Sequence, residues 1–397
     1  MEFHHDKHIT IFARTNFRDV RKRFGIYQAD RRSHVYIIGK TGTGKSTLLE
    51  TFIRQDLEAG QGLALLDPHG ELVERLLLAA RDLRPRDLVY FNAPDTANPL
   101  GFNPLERVAP SKRSLAASGL LEVFRKLWPD FWGPRLEHIL RNALLALLEQ
   151  PEATLADVLR LFDDRAFRKI AAARVSNAQV RSFWLREYES YGVRFRTEAI
   201  ALIQNKVGAF LSNPILNRIL TQPASAFDLR NVMDEGKVLL VNLAKGKIGE
   251  DSSSLLGALL VSRIGLAGLS RSELAPNGRR DFFLYLDEFQ NYTTLSLANM
   301  LSELRKYRVG LVLAHQYLSQ LDIPIRDAIL GNVGTLIAFR VGPWDAELLA
   351  KEFHPEFSAE DLMALPNYDI IVKLMIEGRV SRPFSATTLP PKNGGTA

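Results

Sequence analysis

The sequence has 397 residues, 46% hydrophobic and 24% charged, enough for one large or two ordinary soluble domains with a sizeable core. It has no cysteine, which excludes disulfides and thiolate metal sites, and its first thirty residues hold three histidines and several charges, which excludes a signal peptide. The net charge of +6 is uneven: residues 1–36 carry 8 Lys/Arg against 4 Asp/Glu and residues 105–230 carry 19 against 13, while 37–104 and 231–397 are mildly acidic.

A basic arm, 1–30, opens the chain; its His4, His5 and His8 read as a terminal stretch and not as a metal site. Short apolar runs then alternate with helical patterns. Residues 34–39, 62–67 and 88–92 read as strands, with helices over 46–58 and 70–82 between them. From 105 to 229 helical periodicity dominates, and Leu136, Ile139, Leu140, Ala143, Leu144 and Leu147 make one apolar stripe. Strands return at 237–244, 282–289, 309–316, 335–342 and 368–376, separated by helices at 252–274, 294–307 and 344–353. Near-continuous apolar strands alternating with helices predict an α/β fold with a mainly parallel sheet, covered on both faces. The organisation expected is an α/β core from 31–104 and 231–388, an all-α insertion at 105–230, and a Pro/Gly-rich disordered tail at 389–397. No apolar run approaches the roughly 18 residues of a membrane span, so a cytoplasmic chain without its own membrane span is expected.

The residues Gly39, Lys40, Thr41, Gly42, Thr43, Gly44, Lys45 and Ser46 match G-x-x-x-x-G-K-[ST]. An apolar strand precedes them and a helix beginning Ser46-Thr47 follows, the context a phosphate loop needs. Glycines let backbone N–H groups turn inward to phosphate oxygens, and the helix N-terminus adds positive potential. Lys45 is expected on the β- and γ-phosphates and Ser46 on Mg²⁺; the substrate expected is Mg²⁺–ATP. The strand FFLYL delivers Asp287 and Glu288 together. Asp287 would hold Mg²⁺, usually through water, and Glu288 would polarise the attacking water. Gln316 ends the strand at 309–316, where it could sense the γ-phosphate; His315 beside it reads as structural. Arg305 and Arg340 are candidates for an arginine finger, with a surface salt bridge as the other reading of each. Asp67, in Asp67-Pro68-His69-Gly70, reads either as a helix opener or as a group near the nucleotide.

Five segments in this order, IGKTGTGKST, LLDPHGEL, NPLGFNPL, FLYLDEFQ and LRKYRVGLVLAHQ, resemble the HerA/FtsK superfamily of DNA-pumping ATPases, and within it the TraG/TraD-like conjugative coupling ATPases. The resemblance runs from about residue 30 to 390. It implies a RecA-like core, a homohexameric ring and ATP-driven movement of DNA, duplex and without sequence preference. It places Lys45, Asp287, Glu288 and Gln316 on the family's nucleotide, metal, base and sensor positions, and Arg305 on its finger position, with Arg340 as second choice. A relaxase, nuclease or membrane channel is the kind of partner implied. The chain departs from the pattern in lacking transmembrane helices and an N-terminal β-barrel. Two other readings keep the same core: an ATPase that energises protein secretion, and a non-motor ATP-binding scaffold.

Overall fold

The structure is a computed structural model of the chain; it describes residues 8–18, 20–106 and 108–391. His4 and His5, and the tail beyond Pro391, lie outside the described residues. The chain divides into two compact units. One comprises 1–91, 230–242 and 271–397; the other comprises 92–229 and 243–270.

The first unit is built on a sheet of eleven strands among the described residues. In chain order these are β1 (Ile9–Thr15), β2 (Arg23–Tyr27), β3 (Val35–Ile38), β4 (Gly62–Asp67), β5 (Leu88–Asn92), β6 (Val238–Asn242), β7 (Phe282–Leu286), β8 (Val309–His315), β9 (Thr335–Ala338), β10 (Asp369–Lys373) and, after a small separate ladder of β11 (Met375–Ile376) and β12 (Arg379–Val380), β13 (Phe384–Thr388). The sheet order is β2-β1-β13-β10-β9-β3-β8-β7-β4-β6-β5. The middle is parallel: β3 pairs with β8 and β9, β7 with β8 and β4, and β4 with β6. The flank from β9 to β2 is antiparallel. Every residue of β3, β4, β6, β7, β8 and β9 is buried, which is why these strands read as unbroken apolar runs. Helices Lys45–Glu58 and Glu71–Leu83 cover one face; their Leu48, Phe52, Ile53, Leu72 and Leu76 share a core with Ile37, Leu65 and Phe283.

All eight expected strands are present. The N-terminal region differs from the arm expected over 1–30. Residues 9–15 and 23–27 form β1 and β2, and β1 pairs with β13 from the other end of the chain. Phe12 and Ala13 are fully buried, and the Gln55 side chain bonds both the N–H and the C=O of Ile11, at 2.9 and 2.8 Å. Arg31, just before β3, is buried in a salt bridge with Asp56 at 2.6 Å and lies 3.8 Å from the Phe283 ring centre. That pair fixes the entry of β3 to the helix that follows the phosphate loop.

The second unit is helical. Its longer helices are Arg113–Leu127, Pro134–Leu147, Val193–Ser212 and Glu250–Ser270. The stripe expected on the second of these is buried throughout. A Cβ on Gly119 would meet Ser262 Oγ at 2.5 Å, so glycine sets the close approach of the first and last. This unit is larger than the insertion expected at 105–230, since 92–104 and 243–270 belong to it. The segment Glu250–Glu273 is long and apolar enough, by length and composition, to cross a membrane, contrary to the expectation from the sequence; 78% of its apolar window is buried inside the protein, the state of a core helix.

Candidate active site

The phosphate loop leaves the carboxyl end of β3 and is held on both sides. Gly39 N donates to His315 O at 3.3 Å, and Lys40 N to Arg340 O at 2.9 Å. Thr43 closes the turn by donating through Oγ1 to Lys40 O at 2.8 Å. Gly44 sits at φ +123°, and a Cβ there would also meet the Tyr368 ring at 2.9 Å, so glycine is required twice over. Lys45 begins the helix and is 6% exposed; its Nζ donates to Gly39 O at 2.6 Å and Lys40 O at 3.1 Å. Burial lowers the Lys45 pKa, against the Glu288 and Asp287 charges that raise it. The bond seen at Thr47, on the same first turn, lies within the helix: its carbonyl accepts from Thr51 Oγ1 at 3.0 Å.

β7 lies two strands from β3 and ends at Asp287-Glu288. Asp287 Oδ2 accepts from Ser46 Oγ at 3.3 Å, so the two residues expected on a metal face each other. Burial raises the Asp287 pKa to about 7, the Asp67 and Glu288 charges add to the rise, and Lys45 opposes it. Glu288 adopts the left-handed conformation, φ 48° and ψ 48°, uncommon for a long side chain and typical of functional turns. Its carboxylate is held at both oxygens. Oε1 accepts from Gln316 Nε2 at 2.5 Å and Oε2 from Gln290 Nε2 at 2.6 Å. Gln316 Oε1 in turn accepts from Thr41 Oγ1 at 2.9 Å. A hydrogen-bonded chain therefore runs from the phosphate loop through Gln316 to Glu288 and Gln290. Gln290 was missed in the sequence, although it stands two residues after Glu288 in the same motif.

Asp67 opens its helix, one of the two readings the sequence left open. It accepts from Leu72 N at 2.8 Å and Val73 N at 3.1 Å, capping its helix, and its charge also acts on Asp287. His315 is fully buried and neutral: burial lowers its pKa to about 3, and its Nδ1 lies 3.1 Å from Tyr36 Oη. The two arginines go elsewhere. Arg340 contributes a backbone carbonyl to the loop, but its guanidinium donates to Leu365 O at 3.1 Å and Asn367 Oδ1 at 2.9 Å. Arg305 is exposed in a turn before β8, at the amino edge of the sheet. β8 has seven residues, so roughly 20 Å of strand separates Arg305 from the carboxyl edge that holds Glu288. It does not reach the site of its own chain.

A phosphate loop after a central parallel strand, a serine and an aspartate facing each other beside it, and a clamped glutamate define the P-loop NTPase class of fold and site. The family model described as the type IV secretion-system coupling protein DNA-binding domain matches residues 25–353, and the chain belongs to that family. Among solved structures, the plasmid coupling protein TrwB in complex with ADP and Mg²⁺ is similar, with a TM-score of 0.63, 18% identity, and coverage of 94% of this chain and 88% of that one. The unbound monoclinic form of the bacterial conjugative coupling protein TrwBdeltaN70 aligns with a TM-score of 0.64 at 18% identity, over 93% of this chain and 87% of that one. VirB4 of Thermoanaerobacter pseudethanolicus aligns with a TM-score of 0.63 at 14% identity, over 97% of each chain. At these identities the likeness is one of fold. No curated relative matches the chain by sequence.

Proposed function

We propose that the chain is an Mg²⁺–ATP-hydrolysing motor that moves DNA, acting as a homohexamer. The observation that carries the hydrolytic part is the clamped Glu288 beside Lys45, Ser46 and Asp287. Lys45 and the loop amides hold the β- and γ-phosphates. Glu288, aimed by Gln316 and Gln290, takes a proton from the water that attacks the γ-phosphorus in line. Ser46 and Asp287 would hold Mg²⁺, which supplies charge neutralisation on the β- and γ-oxygens when bound. The donor set fits a hard cation: Ser46 Oγ and Asp287 Oδ2 face each other at 3.3 Å, and water and phosphate oxygens would complete the shell. Burial first, and then the Asp67 and Glu288 charges, raise the Asp287 pKa; a dication would favour its charged form.

Family membership supports DNA as the cargo. The net positive charge of 105–230 suits a polyanion held through its backbone, which gives weak sequence preference and strong salt dependence. Arg305, exposed at the amino edge, suits a finger that enters the site of a neighbouring copy.

The test is steady-state ATPase activity of the purified chain with and without duplex DNA, beside Glu288→Gln. DNA should stimulate turnover, and the variant should lose about 10²- to 10⁴-fold while still binding ATP. Turnover indifferent to DNA and stimulated by a protein substrate would replace the motor with a secretion ATPase; no turnover under any condition would leave a scaffold.

A further inference from the structure

We infer that Tyr368 is the platform on which the nucleobase of the bound nucleotide stacks; this rests on the nucleotide-site reading above. The sheet order sets the direction of the ligand. Asp287, Glu288 and Gln316 follow β7 and β8, on one side of the phosphate loop. The γ-phosphate must face them, so the nucleoside leaves on the other side, over β9 and β10. Tyr368 stands there, immediately before β10. Ile371 pairs with Ala338, so the start of β10 lies at the same edge as the carboxyl end of β9 and the loop.

The tyrosine is built into the loop. Its N–H donates to Thr43 O at 2.9 Å, and its carbonyl accepts from Thr388 N at 2.8 Å and Thr388 Oγ1 at 3.0 Å. These bonds hold it at φ +70°, a conformation bulky residues rarely adopt. Its ring lies 2.9 Å from the position a Cβ on Gly44 would take, yet the residue is 49% exposed. The neighbouring turn is pinned by Arg340, whose guanidinium bonds Leu365 O and Asn367 Oδ1. A rigid, half-exposed aromatic ring in contact with a phosphate-loop glycine offers one free face to a flat ring and little freedom to lose. Stacking accepts any base, so this face gives affinity without choosing between adenine and guanine.

The test compares the affinities of ATP and inorganic tripolyphosphate for the full chain with Mg²⁺, by calorimetry. Tyr368→Ala should bind ATP about tenfold more weakly and tripolyphosphate unchanged, while Tyr368→Phe keeps both. Unchanged ATP affinity in Tyr368→Ala overturns the proposal. So does an equal loss for both ligands, which would make the ring a support for Gly44. Wild-type ATP binding by Lys45→Ala would instead overturn the nucleotide site itself.

Discussion

Strand β7 starts one residue after Asp281 and stops one residue before Asp287, so it presents a buried aspartate at each edge of the sheet. Asp281, at the amino edge, accepts from Gln28 Nε2 at 2.8 Å and pairs with Arg308 Nε at 2.7 Å, with Arg32 at 3.8 Å. Asp287, at the carboxyl edge, has carboxylates for neighbours, Asp67 and Glu288, and a serine at 3.3 Å. Around Asp281 the amino edge is a closed joint, in which the carboxylate meets guanidinium groups and an amide. The other gathers like charge around a buried lysine. Such a cluster costs stability, and it persists where a cation and a phosphate chain are to be bound.

The largest effect expected comes from a cation at the matched edge. There Arg271 is tied to Asp234 and two backbone carbonyls, Arg279 to three carbonyls, and Arg308 to Asp281. Arg305 is exposed, and among the described residues no ion pair holds it. If it serves a neighbour's site, Arg305→Ala lowers the ATPase rate about 10³-fold while ATP binding is kept. Mixing Arg305→Ala with Lys45→Ala protein should restore part of the activity, because an intact site then meets an intact arginine. Full activity in Arg305→Ala alone would remove the finger, and the amino edge would be structural throughout.

The two aspartates can be compared directly. Asp281→Ala removes a buried carboxylate that Arg308 and Gln28 both bond, and should cost about 1–3 kcal/mol in urea unfolding. Asp287→Asn should do the reverse, with a sign that depends on pH. The folded pKa of about 7 lies above the ordinary aspartate value of 3.8, so between those pH values the folded chain keeps a proton that the unfolded chain has released. Stability without metal or nucleotide therefore falls as the pH rises from about 4 to about 7, and stays at the lower level above. Asparagine removes that slope, so the variant should gain on the wild type at pH 8 and match it near pH 4. A thermal-unfolding series in chelator over that range decides it. An equal loss at all pH values would make Asp287 a joint like Asp281.

The carboxyl edge was legible in the sequence because each part is local. Gly39 to Ser46, Asp287-Glu288 and the terminal Gln316 each sit at the end of an apolar run, and a parallel sheet brings run ends to one edge. What depends on tertiary direction was not legible. β1 finds its partner β13 at the far end of the chain, and that pairing turns 9–15 and 23–27 from a charged arm into sheet. The helix Glu250–Ser270 follows a core strand in sequence yet belongs to the helical unit. Arg305 and Arg340 read alike as strand- or helix-end arginines, but one guanidinium is exposed and the other is tied to the 365–367 turn.

The smallest effect expected lies inside the carboxyl edge. Gln316 and Gln290 each hold one oxygen of Glu288, and Gln316 is also bonded to the phosphate loop, through Thr41. The Gln290 amide meets the base at Oε2. Gln290→Ala should therefore lower kcat about tenfold, the worth of one hydrogen bond to a charged acceptor, and leave KM for ATP unchanged. Gln316→Ala should move both constants, since it cuts the loop from the base as well. The left-handed turn at Glu288 makes the contrast sharp: the backbone already aims the carboxylate, and Gln290 only narrows its swing. A rise in kcat in Gln290→Ala would reverse the assignment, because the bond would then be restraining Glu288 from the water it must deprotonate.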